Sequence, residues 1–342
     1  MIRHTVFFCS PLESENLDRI RAVAADEAEV VYRADLQPPL RYVADHHGAP
    51  FTRTPEQEKE WTGELQRADI LFDFPASMTL APNARWVQTT STGVGQMVHK
   101  LGIQDSEILI TTARGVHSGP LAEFVMLGLL AHFRGLRHLE SEQKGRRWVR
   151  YCGDEMAGKN IVLIGAGDLA KATAIRARAF GMTTEAVTRN PFKPRGHSGV
   201  FAAIHATDQL HAVLGRADAI VVTTPHTPET EQLIDRRAFA AMKPGVAFVN
   251  IARGQIVDER ELIECLRSGH VAFAALDVAA TEPLPGDSPL WEMPNVLISP
   301  HSASTVFREN ERITDIFCHN LRCYLRGDLK AIRNVLDKQQ MY

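Results

Sequence analysis

The chain has 342 residues, 44% hydrophobic and 23% charged, with a formal net charge of −3, a length and composition suited to two ordinary domain cores and to neither disorder nor a membrane. The near-neutral balance gives no electrostatic footprint for nucleic acid or an anionic membrane surface, and no apolar run reaches bilayer length. The five cysteines form no CxxC or paired framework and the histidines no HxxxH or HExxH, so free thiols in a reducing cytoplasm and no metal are expected.

The apolar run at 6–9 is short and meets Pro11 and several acids at once, so no secretory signal is expected. A small α/β unit opens the chain: a strand over 5–9, a helix over 14–28 with Leu17, Ile20 and Val23 on one stripe, and a strand over 30–32. An irregular stretch over 37–55 precedes an acidic helix over 56–66 and a short buried strand over 68–72. The strand over 85–90 ends at Ser91-Thr-Gly-Val-Gly95. Glycine-rich turns at the carboxyl ends of parallel strands present backbone N–H groups to anions, although a plain tight turn has the same composition. After a strand over 108–111, Pro120 starts a long helix at a favoured position. Leu121, Phe124, Val125, Leu127, Leu129, Leu130, Phe133 and Leu136 cover most of its circumference, so it is expected to be buried nearly all round, joining domains or subunits. Residues 134–150 are basic and polar, an exposed arm with Trp148 near its end.

Ile161-Val-Leu-Ile164 then runs into Gly165-x-Gly167-x-x-Ala170 and a helix over 169–180. A side chain at Gly165 or Gly167 would hold a pyrophosphate away from the N–H groups of the helix start, so this turn is a dinucleotide site. Strands over 183–188, 218–224, 247–251, 271–277 and 296–299 alternate with helices over 210–214, 235–242 and 258–267, and a helix over 305–325 closes the chain. That alternation means a doubly wound, largely parallel sheet.

The end of the second strand selects the cofactor. NAD is usually held there by an acid on the ribose 2′-OH, but the sequence reads Val187-Thr-Arg-Asn190, with Lys193 and Arg195 behind. Glu185 precedes the strand end and would point along the sheet. Arg189 can grip a 2′-phosphate in bidentate fashion, so NADP(H) is expected over NAD(H), the alternative being that Arg189 is merely a solvated loop charge. Three polar residues also fall at the ends of later strands: Arg253, Glu282 and His301. Hydride transfer to a ketone needs a proton for the nascent alkoxide, which histidine can give near neutral pH. A carboxylate would orient the imidazole, and a guanidinium would pair with a substrate carboxylate while polarising its carbonyl.

With these residues in place the sequence resembles the D-isomer-specific 2-hydroxyacid dehydrogenases over nearly its whole length. The resemblance is carried by Gly165-Ala-Gly167, Thr224-Pro-His-Thr-Pro-Glu-Thr230, Val249-Asn-Ile-Ala-Arg-Gly-Gln-Ile-Val-Asp258, Leu276-Asp-Val278, Glu282-Pro-Leu284 and Ser299-Pro-His301. Thr112-Ala-Arg-Gly-Val-His117 and Leu121-Ala-Glu123 also match. It implies two Rossmann-like domains with the active site in the cleft between them: a discontinuous substrate domain, 1–115 with 306–342, and a dinucleotide domain, 116–305. It implies Arg253 as substrate-orienting cation, His301 as acid/base and Glu282 as its partner, with backbone N–H groups near Thr92 and Gly93 on the substrate carboxylate. Asp277 would face the nicotinamide carboxamide and Asp168-Leu169 the pyrophosphate, with Thr224, Pro225, Thr230, Ile251, Ala252 and Ser304 lining the rest of the cofactor site. Family members are typically homodimers built on the long helix and the arm after it. The sequence departs from the family pattern at Ala170 (third glycine), Asp168, Thr188, Gly95, Gln96 and Ser304.

The expected activity is NADPH-preferring reduction of a small 2-oxo acid such as glyoxylate or hydroxypyruvate. One rival is an NAD-dependent dehydrogenase of a larger 2-hydroxy acid, with Phe74, Met78 and Trp291 lining a roomier pocket. The other is a dinucleotide-sensing binding protein like the C-terminal binding protein co-repressors, against which the intact Arg–Glu–His set argues.

Overall fold

The computed structural model describes residues 4–192 and 199–340; Lys193 and Arg195 lie outside them. The chain divides into two units, Met1–His117 with Thr305–Tyr342, and Ser118–Ser304. In chain order the first unit runs β1 (His4–Phe8), α1 (Ser14–Ala24), β2 (Ala28–Val31), α2 (Pro55–Arg67), β3 (Ile70–Phe72), β4 (Trp86–Gln88), α3 (Gly95–Lys100) and β5 (Leu109–Thr111). The second runs α4 (Ser118–Phe133), α5 (Leu136–Lys144), β6 (Asn160–Ile164), α6 (Asp168–Ala179), β7 (Thr183–Thr188), β8 (Ala203–Ala206), α7 (Leu210–Leu214), β9 (Ala219–Val222), α8 (Arg236–Ala241), β10 (Val246–Asn250), α9 (Glu259–Ser268), β11 (Val271–Leu276) and β12 (Val296–Ile298). The chain then returns to the first unit as α10 (Glu309–Leu325).

The first unit is a parallel five-stranded sheet, β2-β1-β3-β4-β5. Its central strands are largely apolar, with Val6, Phe7, Phe8, Ile70, Leu71, Phe72, Trp86 and Val87 fully buried, as a sheet covered on both faces requires. On one face Phe8, Phe72 and Trp86 pack with Ile20 of α1 and with Ile313, Phe317 and Leu321 of α10. Helix α2 starts on a capping box, Thr54 accepting from the Gln57 N–H and Gln57 from the Thr54 N–H. Residues after α10 run back along β5: Leu336 donates to the Ile110 carbonyl at 2.9 Å and Thr112 to that of Asn334 at 3.0 Å.

The second unit is a parallel seven-stranded sheet, β12-β11-β10-β9-β6-β7-β8. The chain starts in the middle at β6, builds outwards through β7 and β8, then crosses to β9 and builds the other way. The order therefore reverses between β6 and β9, and ligands of open α/β sheets bind at such a point, beyond the carboxyl ends of the strands.

Several elements differ from the sequence reading. Helix α1 stops at Ala24, because Ala25 takes a positive φ of 43° and frees residues 28–31 to extend as β2. Strand β8 was not foreseen: Ala203–Ala206 is short and alanine-rich, and only its pairing with β7 makes it a strand. The long helix is not buried all round. Val125, Met126, Leu129 and Phe133 are buried, but Leu127 is half exposed and Leu121, Phe124 and Leu130 are only partly covered. It ends at Phe133, and Gly135, left-handed at φ 65°, starts the separate helix α5, on which Leu136 and Leu139 are exposed.

Glu185 points at neighbouring side chains on the sheet. Its carboxylate accepts from Arg216 at 3.1 and 2.5 Å and from Asn160 at 2.9 Å, with His205 at 2.6 Å. Chiefly the Arg216 guanidinium holds this carboxyl down at about 2, against an ordinary 4.5. A depressed carboxylate stabilises the fold above its unfolded value, and that stability drains away as pH falls through the folded one. Glu185→Gln is therefore expected to destabilise by roughly 1–2 kcal/mol at neutral pH, since Arg216 is half exposed and screened. In denaturant melts the gap to wild type closes between about pH 4.5 and 2; a pH-independent gap would make the loss one of packing.

Candidate active site

The glycine turn sits at the reversal point. Gly165 has φ +117°, and a Cβ there would lie 2.8 Å from the Thr223 hydroxyl and 3.1 Å from the Thr224 nitrogen. Its need for glycine is thus explained first by the close meeting of the ends of β6 and β9, and not by ligand approach alone. Gly167 is the reverse case: it is exposed, and nothing lies within 4 Å of a Cβ built on it. It opens α6, whose first residue is Asp168, with Leu169 partly buried behind. Ala170 is fully buried against the sheet, so the third motif position packs the helix. An open glycine ahead of a twelve-residue helix fits a pyrophosphate by backbone donation.

At the end of β9, Thr224 is half-buried and Pro225 exposed. Thr230, expected as a cofactor contact, is built into the turn that follows. Its buried hydroxyl donates to the Pro225 carbonyl at 2.8 Å and accepts from the Thr227 N–H at 2.8 Å, which spends it on closing the turn. Beyond β7, no carboxylate stands at the ribose position among the described residues, Glu185 being committed to Arg216. Arg189 follows Thr188, and its field reaches Glu229, whose carboxylate is kept below the usual range mainly by the Thr227 hydroxyl.

The polar set forms on the strand ends beyond the reversal point. At the end of β10 the buried Asn250 folds the chain over: its Oδ1 accepts from the Ala252 N–H at 3.1 Å and its Nδ2 donates to the Arg253 carbonyl at 3.0 Å. Ile251 and Ala252 are buried below, and Arg253 donates from its guanidinium to the Ala252 carbonyl at 2.6 Å. Burial pushes the Arg253 pKa down, while the negative fields of Glu282 and Asp277 push it back up. A Cβ on Gly254 would lie 1.9 Å from the Ala279 carbonyl oxygen and 2.3 Å from the Ala280 nitrogen. The Arg253 turn and the Glu282 loop are therefore in backbone contact.

His301 and Glu282 meet directly, Nδ1 to Oε2 at 2.7 Å, while Glu282 Oε1 accepts from the Ala279 N–H at 3.1 Å. This pairing places a proton on Nδ1 and leaves Nε2 as the ring nitrogen for chemistry. His301 itself is left-handed at φ 53°, a conformation that must be held by its surroundings. The buried Asp277 holds it. Its backbone carbonyl accepts from the His301 N–H at 2.8 Å, and its Oδ1 accepts from Ser299 Oγ at 2.7 Å and from the N–H groups of Ser302 and Ala303 at 3.0 and 2.9 Å. That anchoring was not read from the sequence; an acid ending a buried strand was its only signal. Ser304 is half-buried at the end of the unit.

The first unit holds the other candidate, the turn after β4. Thr89 Oγ1 and the Ala113 N–H both donate to the Ser91 carbonyl, at 2.7 and 3.1 Å, and Thr90 donates to Asp73 at 2.8 Å. So pinned, the turn presents Thr92 and Gly93 at the surface. Of the suggested pocket residues, Met78 is core and Phe74 packs partly against that core, while Trp291 is half exposed, its Nε1 donating to Pro285.

A family model for the NAD binding domain of D-isomer specific 2-hydroxyacid dehydrogenases matches residues 126–303. D-3-phosphoglycerate dehydrogenase of Mycobacterium leprae is 37% identical over 242 residues, 67% of this chain and 44% of that longer protein. Glyoxylate reductase of Thermococcus gammatolerans is 32% identical over 231 residues, 65% of this chain and 68% of that one. A D-isomer specific 2-hydroxyacid dehydrogenase from Xanthobacter autotrophicus Py2, crystallised with NADPH and MES, matches over the whole of both chains with a TM-score of 0.78 and 26% identity. Two parallel-sheet α/β units, with a glycine turn at the sheet reversal, agree with the two-domain architecture of this family. The chain belongs to the D-isomer specific 2-hydroxyacid dehydrogenases, a family of oxidoreductases acting on CH–OH donors.

Proposed function

We propose that the protein reduces a small 2-oxo acid of the glyoxylate or hydroxypyruvate kind to the D-2-hydroxy acid, preferring NADPH. The observation that carries the reading is the 2.7 Å pairing of His301 Nδ1 with Glu282 on a loop fixed by Asp277. It gives an oriented proton donor, which a pure dinucleotide sensor does not need. A nicotinamide cofactor supplies the hydride when bound, with Gly167 and the start of α6 on its pyrophosphate. Arg253 orients the substrate and polarises its carbonyl, the Thr92–Gly93 turn grips the carboxylate, and His301 hands its Nε2 proton to the alkoxide oxygen. The glyoxylate reductase relative supports the substrate class. The phosphoglycerate dehydrogenase relative favours a second reading, a larger 2-hydroxy acid, but the core position of Met78 removes one side chain from that roomier pocket.

Arg189, with no acid at the ribose position, supports NADPH, as does the NADPH-bound relative from Xanthobacter. Loss of reduced-nicotinamide absorbance against a panel of 2-oxo acids tests the substrate. The expected result is the highest kcat/KM on the smallest acids, with NADPH at least about tenfold better than NADH, the worth of one charge-assisted pair. Arg189→Ala should erase most of that ratio; a higher kcat/KM with NADH would overturn the preference. Exposed Leu127, Leu136, Leu139, Trp148 and Val149 support a homodimer through α4 and the arm. No described helix is long and apolar enough to cross a membrane, and the five cysteines are free; the free thiols support a reducing cytoplasm.

A further inference from the structure

Behind the Thr92–Gly93 turn lies a polar chain that no step above uses. Thr92 Oγ1 is 3.0 Å from His117 Nδ1, and His117 Nε2 is 3.0 Å from Glu309 Oε1. His46 Nε2 reaches the same oxygen at 3.2 Å. Glu309 starts α10 and its side chain is 4% exposed, with those of His117 and His46 at 15% and 12%. The two histidines hold the Glu309 carboxyl down, at about 2, against the desolvation that would raise it. A buried carboxylate needs a countercharge. Other charged groups lie nearby. Glu13, from the start of α1, is occupied by Asn310 and the Ala44 N–H, and Asp45, beside His46, is paired with Arg41. Arg312, one turn along α10, donates to the Val116 carbonyl, and Arg114 in the His117 loop is exposed.

We propose that His117 is a positioning residue whose proton sets the polarity of the Thr92 hydroxyl, and through it the grip on an anionic substrate. When His117 is protonated, both ring nitrogens donate: Nε2 to Glu309 and Nδ1 to Thr92 Oγ. The Thr92 hydroxyl hydrogen is then directed outwards as a donor to a carboxylate. When His117 is neutral with its hydrogen on Nε2, Nδ1 accepts from Thr92, and the hydroxyl turns its lone pairs outwards, which disfavours a carboxylate. Glu309 makes the outward donor the favoured state and fixes the ring.

This inference rests on Thr92–Gly93 being the carboxylate subsite. The test is the KM of the best 2-oxo acid between about pH 5 and 8, the range in which histidines titrate, in wild type and in His117→Asn. His301 is present in both, so the ratio of the two profiles isolates His117. The expected result is a KM raised about tenfold at low pH in the variant, kcat and the KM for NADPH little changed, and a gap that narrows as pH rises. In a second measurement, the NMR signals of the His117 ring nitrogens should shift on Thr92→Val and on Glu309→Gln. If wild type turns over an oxo acid but the KM ratio is flat with pH, or the Nδ1 signal ignores Thr92→Val, the inference falls and the proposed function stands. If no 2-oxo acid is reduced, the proposed function falls and takes this inference with it.

Discussion

His301→Ala is expected to lower kcat by about 10²–10⁴-fold, the usual worth of a positioned acid–base group and roughly 3–5 kcal/mol of barrier. KM should move little, because in the proposed role the imidazole acts on charge that develops at the substrate oxygen in the transition state. Glu282→Gln should show a smaller loss of the same kind. The 2.7 Å contact with Nδ1 fixes the tautomer and the ring plane, and an amide can hold one of these without the other. The two residues act as one device, so the double variant should be scarcely slower than His301→Ala alone. Additive losses, or near-normal turnover in a folded His301→Ala protein, would remove the pair from the chemistry. Steady-state kinetics on the three variants, each checked for an unchanged melting profile, decide it.

The second large effect needs no change to any reacting group. In Gly254→Ala the new methyl would sit 1.9 Å from the Ala279 carbonyl oxygen and 2.0 Å from its carbon. The obstacle is backbone, so no rotamer change relieves it, and one loop must retreat by roughly 1–2 Å to reach ordinary contact. Arg253 stands on one of those loops and Glu282 is three residues from Ala279 on the other. A misplacement of that size is expected to cost about 10²-fold in kcat/KM. Overpacking should also destabilise by about 1–3 kcal/mol, lowering Tm by several degrees. Gly167→Ala is the contrast: nothing crowds its Cβ, so the fold should keep its Tm while the KM for the dinucleotide rises. Equal Tm losses in the two glycine variants would contradict this division of labour.

Much of this site was legible in the sequence because it stands at strand ends, and strand ends are marked by period and composition. The runs of β-branched and aromatic residues placed β6, β7, β9, β10 and β11, and so placed Gly165, Arg189, Thr224, Arg253 and Asp277 beyond them. The pairing of Glu282 with His301 came from chemistry and resemblance, since nineteen positions separate them and no local pattern joins them. What the sequence did not disclose is contact between loops. Gly254 reads as any small residue after an arginine until Ala279 is seen against it. The hydroxyl of Thr230 closes its own turn, a contact the sequence pattern does not announce. Strand β8 depends on a neighbour for its existence, and the exposed side of α4 could not be told from its buried side in a helix apolar all round its circumference. Glu309 was read only as part of the closing helix over 305–325, because its two histidines come from loops far away in the chain.

The return of the chain to its first unit bears on how the molecule is made. Phe8, Ile20 and Trp86 share a core with Ile313, Phe317 and Leu321, and β5 bonds to residues near 334–336. Residues 118–304 are contiguous and can close their own sheet while the rest of the chain is still being synthesised. The core of the first unit cannot close before α10 is made, since Ile313, Phe317 and Leu321 supply one side of it. During synthesis that first unit is therefore expected to expose apolar surface longer than the contiguous one, and limited proteolysis of chains cut short before α10 would show it as the more readily cleaved part.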